Sequence, residues 1–256
     1  MTESSSRPVR RSDEHYTPIA SAYTTSAIHA QGADLARLVE LAALPAGALV
    51  LDVGAGTGHT GLAFAAAGAR FVGLDLTRAM LVEARGLAET RGAAFEPALG
   101  AAEALPFANG AFDAVVCRYC AHHFIDARAA VHEMARVVRP GGVVLLDDHV
   151  APEDVAADDF INRLDWLRDP SHRREPRLSE YESWCAEAGL RTTAVEHRRE
   201  RIEADEWFRR ARTAPDREAE ARRLLDGASP ELRELFAISS DPAGFDLHAI
   251  IVHAHR

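Results

Sequence analysis

Short apolar runs alternate with helical segments along the middle of the chain, and this alternation limits the folds open to it. The runs fall at 48–53, 70–75, 93–98, 112–117 and 143–148, and segments of helical pattern separate most of them. Two parallel strands need a crossover connection of about a dozen residues, which is usually a helix. The sequence therefore predicts an α/β fold with a mostly parallel sheet, to which runs at 190–197 and 245–255 add two strands.

The rest of the chain predicts one domain with helical additions. Its 256 residues are 47% hydrophobic and 27% charged, an ordinary composition for a globular protein. Residues 1–14 are polar, and we expect a disordered tail there. Residues 15–256 are expected to form a single domain, with an N-terminal helical cap at 15–46 and helical insertions at 150–188 and 200–240.

Charge and cysteine content exclude several functions. The formal net charge is −10, whereas nucleic-acid binding needs a basic face, so we expect no nucleic-acid partner. All 29 cationic residues are arginines, which excludes lysine Schiff-base chemistry and the lysine of a P-loop. No apolar run approaches the roughly 20 residues that span a bilayer. The three cysteines make no disulfide framework, so we expect a cytoplasmic protein without a membrane partner.

A glycine-rich loop, V-L-D-V-G-A-G-T-G, begins within the first apolar run. A Walker loop would need a different spacing and a lysine. A dinucleotide site remains nominally open through Gly56, Gly58 and Gly61, but the earlier glycines, beginning at Gly54, sit where the tight turn belongs. Asp52 would also repel a pyrophosphate and attract an ammonium group. The loop therefore favours S-adenosylmethionine, which carries an ammonium and a sulfonium and no phosphate.

An acidic residue, Asp75, ends the second apolar run. An acidic side chain at this position can accept both ribose hydroxyls of an adenosine. NAD sites use the same device, so Asp75 alone does not choose between the two cofactors.

Five motifs in order strengthen the choice of S-adenosylmethionine: V-L-D-V-G-A-G-T-G, G-L-D-L-T-R-A-M-L, A-E-A-L-P-F-A-N-G-A-F-D-A-V-V, A-H-H-F and R-V-V-R-P-G-G-V-V-L-L. They cover residues 49–148. With them, the chain resembles a class I S-adenosylmethionine-dependent methyltransferase of the type found in ubiquinone and menaquinone biosynthesis and its small-molecule relatives. The resemblance implies a Rossmann-like, doubly wound, mostly parallel seven-stranded sheet whose last strand is antiparallel.

The resemblance also assigns cofactor-binding residues. The Gly54–Gly58 loop would pass under the methionine part of the cofactor, with Thr57 adding a polar contact. Asp75 would bind the ribose, Leu76 would flank the adenine, and Arg118 would contact the methionine end. The full expected set is Asp52, Gly54, Ala55, Gly56, Thr57, Gly58, Asp75, Leu76, Ala101, Ala102, Glu103 and Arg118.

The chain departs from the family pattern at Ala101, where relatives often have Asp or Asn. Ala101 and Ala102 would line the adenine through backbone groups only. A side-chain acceptor for the adenine amino group is therefore missing at this position.

Methyl transfer is an in-line displacement, so the protein mainly orients the two reactants and removes a proton from the acceptor where needed. The carboxyl ends of the strands face the ligand crevice in this fold, which places several histidines there as candidate general bases. The catalytic candidates are His123, His149, His29 and His122, and the acceptor-binding candidates are Tyr23, Ser26, Arg168 and His172.

Structural roles remain open for these side chains. The histidines can instead be packing, helix-capping or strand-end residues, and Arg168 can form an internal ion pair with Asp169. Several histidines together with Asp148 and Asp169 also leave a metal site open. The spacings match no compact ligand motif, and we predict no metal.

The expected function is methyl transfer from S-adenosylmethionine to an oxygen, nitrogen or carbon atom of a small organic molecule. One alternative is ring-carbon methylation of a quinone precursor. A second is a protein that keeps the fold and the cofactor without methyl transfer, and a third is an NAD-dependent enzyme. The expected partner is the small-molecule acceptor, and a homodimer stays open.

Overall fold

The structure is a computed structural model that describes residues 11–25, 30, 32–240 and 243–256. Within these residues the strands are β1 Leu49–Val53, β2 Arg70–Asp75, β3 Glu96–Leu99, β4 Phe112–Arg118, β5 Val138–His149, β6 Arg191–Glu203, β7 Ser239–Ser240 and β8 Ala243–His255. The α-helices are α1 Ser12–Tyr16, α2 Ala20–Tyr23, α3 Ala33–Ala42, α4 His59–Ala66, α5 Arg78–Thr90, α6 Ala127–Val137, α7 Val155–Arg168, α8 Leu178–Glu187, α9 Ala204–Ala211, α10 Pro215–Asp226 and α11 Pro230–Leu235. In the part of the chain that the structure describes, no helix has the length and apolarity needed to cross a membrane.

The strands form one sheet in the order β3-β2-β1-β4-β5-β8-β6, and the two-residue strand β7 pairs with β8. β1 to β5 pair in parallel, whereas β8 runs antiparallel to both β5 and β6. The predicted Rossmann-like α/β fold, mostly parallel with an antiparallel last strand, is confirmed. The strand order reverses between β1 and β4, and ligands bind at such a switch point in doubly wound sheets.

Helices cover both faces of this sheet. Leu51 and Val53 of β1 pack on one face with residues of α6 and α8. Val50 packs on the other face with residues of α3, α4 and α5. Successive side chains of a strand point to opposite faces, so a strand covered on both faces reads as a continuous apolar run. The first apolar run of the sequence is this central strand.

β5 begins earlier than predicted and contains a bulge. The strand starts at Val138 rather than at residue 143. Its pairing with β4 shifts register between Phe112↔Val138 and Ala114↔Val143, and Gly141 in the intervening stretch has a φ of +75°. The predicted turn at 139–142 therefore interrupts the ladder without ending the strand.

β6 extends beyond its predicted end at residue 197. It pairs with β8 as far as Glu203, where the partner is Gly244. β6 is the edge strand of the sheet, and its second half, R-R-E-R, is strongly charged. Charged edge strands are common because they oppose pairing with other chains. Because this half of β6 is charged, it is not an apolar run, and the sequence pattern does not predict it as a strand.

Helices α7, α9 and α10 form a second apolar cluster beside the sheet. Leu164 of α7, Trp207 of α9 and Leu225 of α10 belong to it, together with Phe245 of β8. At the other end of the chain, α1 begins at Ser12, inside the segment expected to be a disordered tail. Both additions place side chains beside the switch point of the sheet.

Candidate active site

A cavity of about 370 Å³ lies at the carboxyl ends of β1, β2, β4 and β5. Its walls come from the glycine loop after β1, from α1 and α2, from the segment after β4, and from α7 and α9. Small-molecule sites usually measure about 300–1,000 Å³. The predicted cofactor residues in its wall are Gly54, Ala55, Gly56, Thr57, Asp75, Leu76, Ala101, Ala102, Glu103 and Arg118.

Glycines in left-handed backbone shape the loop after β1. Gly54, Gly56 and Gly58 have φ values of +70°, +53° and +85°. A Cβ atom on Gly54 would lie 2.3 Å from the Sγ atom of Cys120, whereas a Cβ atom on Gly56 would meet nothing within 4 Å. Gly54 is therefore required by close packing, and Gly56 faces open space in which a ligand can lie.

Asp75 stands at the end of β2 and holds the same loop. Its Oδ2 atom accepts a hydrogen bond from the Gly56 amide at 2.8 Å, and its Oδ1 atom accepts one from the Thr77 amide at 2.7 Å. Burial raises the pKa of this carboxyl group, and the two amides oppose that shift. Each carboxylate oxygen keeps a further acceptor site, so Asp75 can still accept ribose hydroxyls.

Asp52 is not part of the cavity wall. It is buried beneath the loop, where Oδ2 accepts a hydrogen bond from the Gly61 amide in the first turn of α4 at 2.9 Å. Burial raises its pKa to about 7. The sequence suggests that Asp52 attracts the cofactor ammonium directly or through water. Its place beneath the loop opposes the direct contact, because this carboxyl group instead satisfies an amide at a helix N-terminus. Gly58 is also outside the wall, as the N-cap of α4.

Leu76, Ala101, Ala102 and Glu103 all line the cavity, and their contact with the adenine stays a prediction. Leu76 is 37% exposed, although it is a large apolar residue. The Oε1 atom of Glu103 accepts a hydrogen bond from the Ile125 amide at 2.7 Å. This hydrogen bond connects the loop after β3 with the segment after β4.

Arg118 lines the cavity at the end of β4 as a fixed cation. Its guanidinium group forms an ion pair with Asp34 and lies 3.8 Å from the Oδ2 atom of Asp147. It also lies 4.5 Å from the centre of the Tyr119 ring. Tyr119 has a φ of +54°, and such strained residues cluster at functional sites.

His122 lines the cavity and forms a hydrogen-bonded pair with the buried Asp148. The Nδ1 atom of His122 lies 2.6 Å from Oδ1 of Asp148, and the His122 amide donates to Oδ2 at 3.1 Å. Burial opposes the ionisation of Asp148, but the charge and hydrogen bond of His122 outweigh it and lower the carboxyl pKa. An imidazole that donates Nδ1–H to a carboxylate keeps Nε2 as an acceptor. The pair can therefore act as an oriented base.

His123 belongs to a separate network with Tyr16 and Asp169. Its Nε2 atom lies 2.9 Å from the Tyr16 hydroxyl oxygen, and that hydroxyl donates to Oδ2 of Asp169 at 2.8 Å. Its Nδ1 atom lies 3.2 Å from the carbonyl oxygen of Ser171. Burial and the neighbouring His122 lower the pKa of His123 to about 4. Because both ring nitrogens have partners, His123 joins α1 to the segment after α7.

His149, like His122, is hydrogen-bonded to an acid, and its catalytic role stays a prediction. Its Nε2 atom lies 3.0 Å from Oε2 of Glu200, and its Nδ1 atom lies 3.8 Å from Oε1 of Glu175. Burial lowers the pKa of His149, but the charge and hydrogen bond of Glu200 outweigh it and raise the pKa above the usual value.

The structure describes three of the four predicted acceptor-binding residues and three of the four catalytic candidates. Tyr23, Arg168 and His172 line the cavity. Ser26 and the catalytic candidate His29 lie outside the described residues.

The alternative ion pair between Arg168 and Asp169 is absent from the described residues. Asp169 binds Tyr16 and also accepts hydrogen bonds from the amide and hydroxyl of Ser171, both at 2.7 Å. The Nε atom of Arg168 donates to the carbonyl of Trp207 at 3.3 Å, and its guanidinium carbon lies 4.9 Å from the centre of the Trp207 ring.

The imidazole rings form a compact group. The ring centre of His122 lies 4.2 Å from that of His123 and 5.7 Å from that of His172. Nevertheless, in the described part of the chain no three His, Cys, Asp or Glu side chains are arranged to hold a metal ion. The histidines instead have hydrogen-bond partners of their own, such as the Asn162 Oδ1 atom at 3.1 Å from Nε2 of His172.

Sequence reasoning missed several side chains in the cavity wall: Tyr16, Tyr119, Glu200, Trp207 and Arg210. Tyr16 lies in a helix too short to show periodicity, and the others come from segments with no recognised motif. Glu200 reaches the site through the pairing of β6 with β8, and Trp207 and Arg210 reach it through the packing of α9, which local sequence does not report.

Comparison with known proteins agrees with this geometry. Residues 51–146 match a family described as a methyltransferase domain. An uncharacterized methyltransferase of Bacillus subtilis, YcgJ, is 40% identical over 240 residues, which cover 91% of this chain and 94% of the relative. The chain belongs to the class I S-adenosylmethionine-dependent methyltransferases.

The similarity of this methyltransferase to its relatives extends to three-dimensional structure. The crystal structure of YcgJ has a TM-score of 0.83 at 38% identity and covers 87% of this chain and 97% of YcgJ. That of a methyltransferase described as putative, from Bacillus halodurans, has a TM-score of 0.83 at 33% identity and covers 88% and 99%. A demethylmenaquinone methyltransferase of Thermus thermophilus is 40% identical over 126 residues, which cover 47% of this chain and 57% of that protein. The predicted family and the prediction of an enzyme are confirmed.

Proposed function

We propose that this enzyme transfers a methyl group from S-adenosylmethionine to an oxygen, nitrogen or carbon atom of a small organic molecule bound in the cavity. The observation that carries the proposal is the His122–Asp148 pair, because His122 lines the same cavity as the glycine loop and Asp148 holds its ring from behind. When bound, the cofactor supplies a methyl group on positively charged sulfur, an electrophile that needs no further activation.

The residues of the glycine-loop side fit this cofactor. Gly56 leaves open space beside the loop, and Asp75 presents carboxylate oxygens that can accept ribose hydroxyls. Leu76 offers an exposed apolar surface for the adenine. Ala101 offers no side-chain acceptor for the adenine amino group. The sequence contains no lysine, so the loop has no P-loop lysine to bind a phosphate.

The His122–Asp148 pair supplies the proton acceptor. His122 would take the proton that leaves the acceptor atom, and Asp148 would stabilise the resulting imidazolium through the existing 2.6 Å hydrogen bond. General-base catalysis of this kind contributes about 10²- to 10⁴-fold to a rate. An oxygen or nitrogen acceptor that must lose a proton uses the pair best.

Ring-carbon methylation of a quinone precursor is the second candidate. It is supported by the similarity to a demethylmenaquinone methyltransferase, which extends over 47% of this chain. A hydroxylated ring also has a proton for His122 to remove, so the same base serves either reaction.

Calorimetry followed by turnover tests the proposal. We expect S-adenosylhomocysteine to bind and NAD not to bind, and we expect label from methyl-tritiated S-adenosylmethionine to enter a phenol or an amine. Binding of NAD alone would show that the proposed cofactor is wrong. Binding of S-adenosylhomocysteine without label transfer to phenols, amines or quinols would overturn the proposed acceptor, and transfer to quinols alone would favour the second candidate.

The proposal includes a cytoplasmic setting, a small-molecule partner and no nucleic-acid partner. The sulfur atoms of Cys117 and Cys120 lie 3.1 Å apart as free thiols, which suits a reducing compartment. The net charge of −10 opposes binding to nucleic acid. A homodimer remains compatible with this function.

A further inference from the structure

We propose that the methyl acceptor carries an anionic group, which Arg168 and Arg210 bind together. This inference rests on the proposed function, because it names the class of acceptor for the same cavity. Arg168 ends α7 and Arg210 lies in α9, and both line the cavity wall. The two guanidinium groups therefore approach one space from neighbouring helices.

Neither arginine has a carboxylate partner. Among the described residues, no Asp or Glu oxygen lies within 4.0 Å of a side-chain nitrogen of Arg168 or Arg210. The Nε atom of Arg210 is buried and has no hydrogen-bond partner in the described part of the chain. Burial and the charge of Arg168 lower the pKa of Arg210. Buried donors normally have partners, so this one calls for a ligand atom or a water.

Three other buried or partly buried arginines are paired with carboxylates. Arg118 binds Asp34, Arg198 binds Asp147, and Arg177 lies 2.6 Å from an oxygen of Asp158. Two guanidinium groups left facing the same cavity repel each other unless an anion lies between them. Their planar donor groups match the geometry of a carboxylate or a phosphate.

The acids in the same wall are engaged elsewhere. Asp169 accepts hydrogen bonds from Tyr16 and Ser171. Glu175 lies 3.8 Å from the Nδ1 atom of His149, and burial raises the pKa of its carboxyl group well above the usual value. Glu200 lies against His149 and likewise does not neutralise the two arginines.

The arginine pair lies beyond the glycine loop, on the acceptor side. The backbone carbonyl of Tyr23 accepts a hydrogen bond from the Thr57 hydroxyl at 3.3 Å and lies 3.1 Å from Nε2 of His59. Tyr23 lines the same cavity as Arg168 and Arg210. Trp207 lies against Arg168 and adds an aromatic surface, so an aromatic acceptor with an anionic substituent fits this side.

Binding of charged and neutral aromatic probes tests this assignment without requiring turnover. Benzoate, phenyl phosphate and benzamide are titrated by calorimetry into the wild type and into Arg210→Gln, with and without S-adenosylhomocysteine. Arg209→Gln is the matched control, because Arg209 is the exposed neighbour in the same helix and pairs with Glu206. Arg168→Gln is the second variant, should Arg210→Gln fail to fold.

The wild type should bind at least one anionic probe more tightly than benzamide, and the preferred probe distinguishes a carboxylate from a phosphate. Arg210→Gln should weaken anion binding by about ten- to a hundredfold, the usual effect of losing a charged hydrogen bond, and Arg209→Gln should not. Equal binding of benzamide and both anions would overturn the inference. So would a matching loss of S-adenosylhomocysteine affinity in Arg210→Gln, since the arginines would then serve the cofactor. Failure of the wild type to bind S-adenosylhomocysteine would instead refute the proposed function. The comparison of anionic and neutral probes would then rest on the titrations performed in the absence of S-adenosylhomocysteine.

Discussion

The Nδ1 atom of His122 lies 2.6 Å from the Oδ1 atom of Asp148, although 26 residues separate the two in sequence. The register of the sheet brings them together. β4 and β5 are neighbours, and Arg118 at the end of β4 lies opposite Asp147 of β5. The short turn after β4 then carries His122 to Asp148. A base and the acid that orients it are thus produced by the pairing of two parallel strands.

Replacing His122 with Gln should slow methylation of a phenol by about 10²- to 10⁴-fold, because the variant lacks a general base. Affinity for S-adenosylhomocysteine should be unchanged. The deficit should shrink as the pH approaches about 10, where a phenol ionises without help. Label transfer from tritiated S-adenosylmethionine, measured across pH, checks this expectation. His132→Gln on α6 is the control, and an undiminished rate in His122→Gln would remove the pair from the mechanism.

The depressed pKa of His123 predicts a pH-dependent stability. Its pKa is about 4 in the folded protein, against about 6.5 for an ordinary histidine, because burial disfavours the charged ring. The unfolded chain therefore takes up this proton first, and stability is lost as the pH falls from about 6.5 towards 4. Relative to His123→Gln, the wild type should lose about 2 kcal/mol of unfolding free energy between pH 7 and 4.5.

Urea denaturation of both proteins at several pH values provides the measurement for His123. The comparison with the variant cancels the titration of other buried groups, such as Asp147, whose pKa is also shifted by burial. A difference between the two proteins that does not change with pH would show that His123 keeps an ordinary pKa.

The sequence predicts the parallel core well because each central strand is buried on both faces and leaves a continuous apolar run, as at Val50 and Leu51. It predicts the glycine loop because positive φ angles favour one residue type. The sequence predicts contacts less well where the two residues are far apart along the chain. Tyr16 meets His123 across 107 residues, and no local pattern at either position reports that contact.

Highly charged strands are also difficult to predict from the sequence. The second half of β6 has the composition of an exposed segment, yet its pairing with β8 brings Glu200 to His149. The place of Asp52 is likewise not evident from the local sequence. An acid before a glycine loop suggests a ligand contact, but the strand direction turns its side chain towards the first turn of α4.

Asp75→Asn should weaken S-adenosylhomocysteine binding by about 1–3 kcal/mol, the typical effect of losing hydrogen bonds to a charged group. The amide retains one acceptor oxygen, so either the Gly56 amide or the Thr77 amide also loses its partner. Isothermal titration calorimetry measures the change. Asp52→Asn is the matched comparison, because Asp52 lies outside the cavity wall, and an equal loss in both variants would contradict the ribose assignment.

Asp52 itself should make the protein less stable as the pH rises. Burial raises its folded pKa to about 7, above the unfolded value of about 3.8, so the stability that it contributes is present at low pH and lost as the pH rises through 7. Asp52→Asn should therefore gain about 2 kcal/mol or more over the wild type between pH 5 and pH 8. Urea denaturation at the two pH values measures this gain.

Asp113→Asn is the control for the stability of Asp52. The pKa of Asp113 is lowered by the Leu49 amide and by Arg139, so it stays ionised throughout that pH range. The difference between Asp113→Asn and the wild type should not change between pH 5 and pH 8. A constant difference for Asp52→Asn as well would show that its carboxyl group is not held in a neutral form.

Gly54→Ala and Gly56→Ala separate packing from ligand binding within one loop. Both positions have positive φ, which costs an alanine about 1–2 kcal/mol. At Gly54 the added methyl group would also lie 2.3 Å from Sγ of Cys120, and such overpacking costs a further 1–3 kcal/mol or so. Gly54→Ala should therefore lose more unfolding free energy in urea than Gly56→Ala.

Because Gly56 faces the cavity, Gly56→Ala should show the larger loss of S-adenosylhomocysteine affinity relative to its loss of stability. Adding Cys120→Ala should restore part of the stability of Gly54→Ala and none of that of Gly56→Ala; equal restoration would show that the contact with Cys120 does not require the glycine.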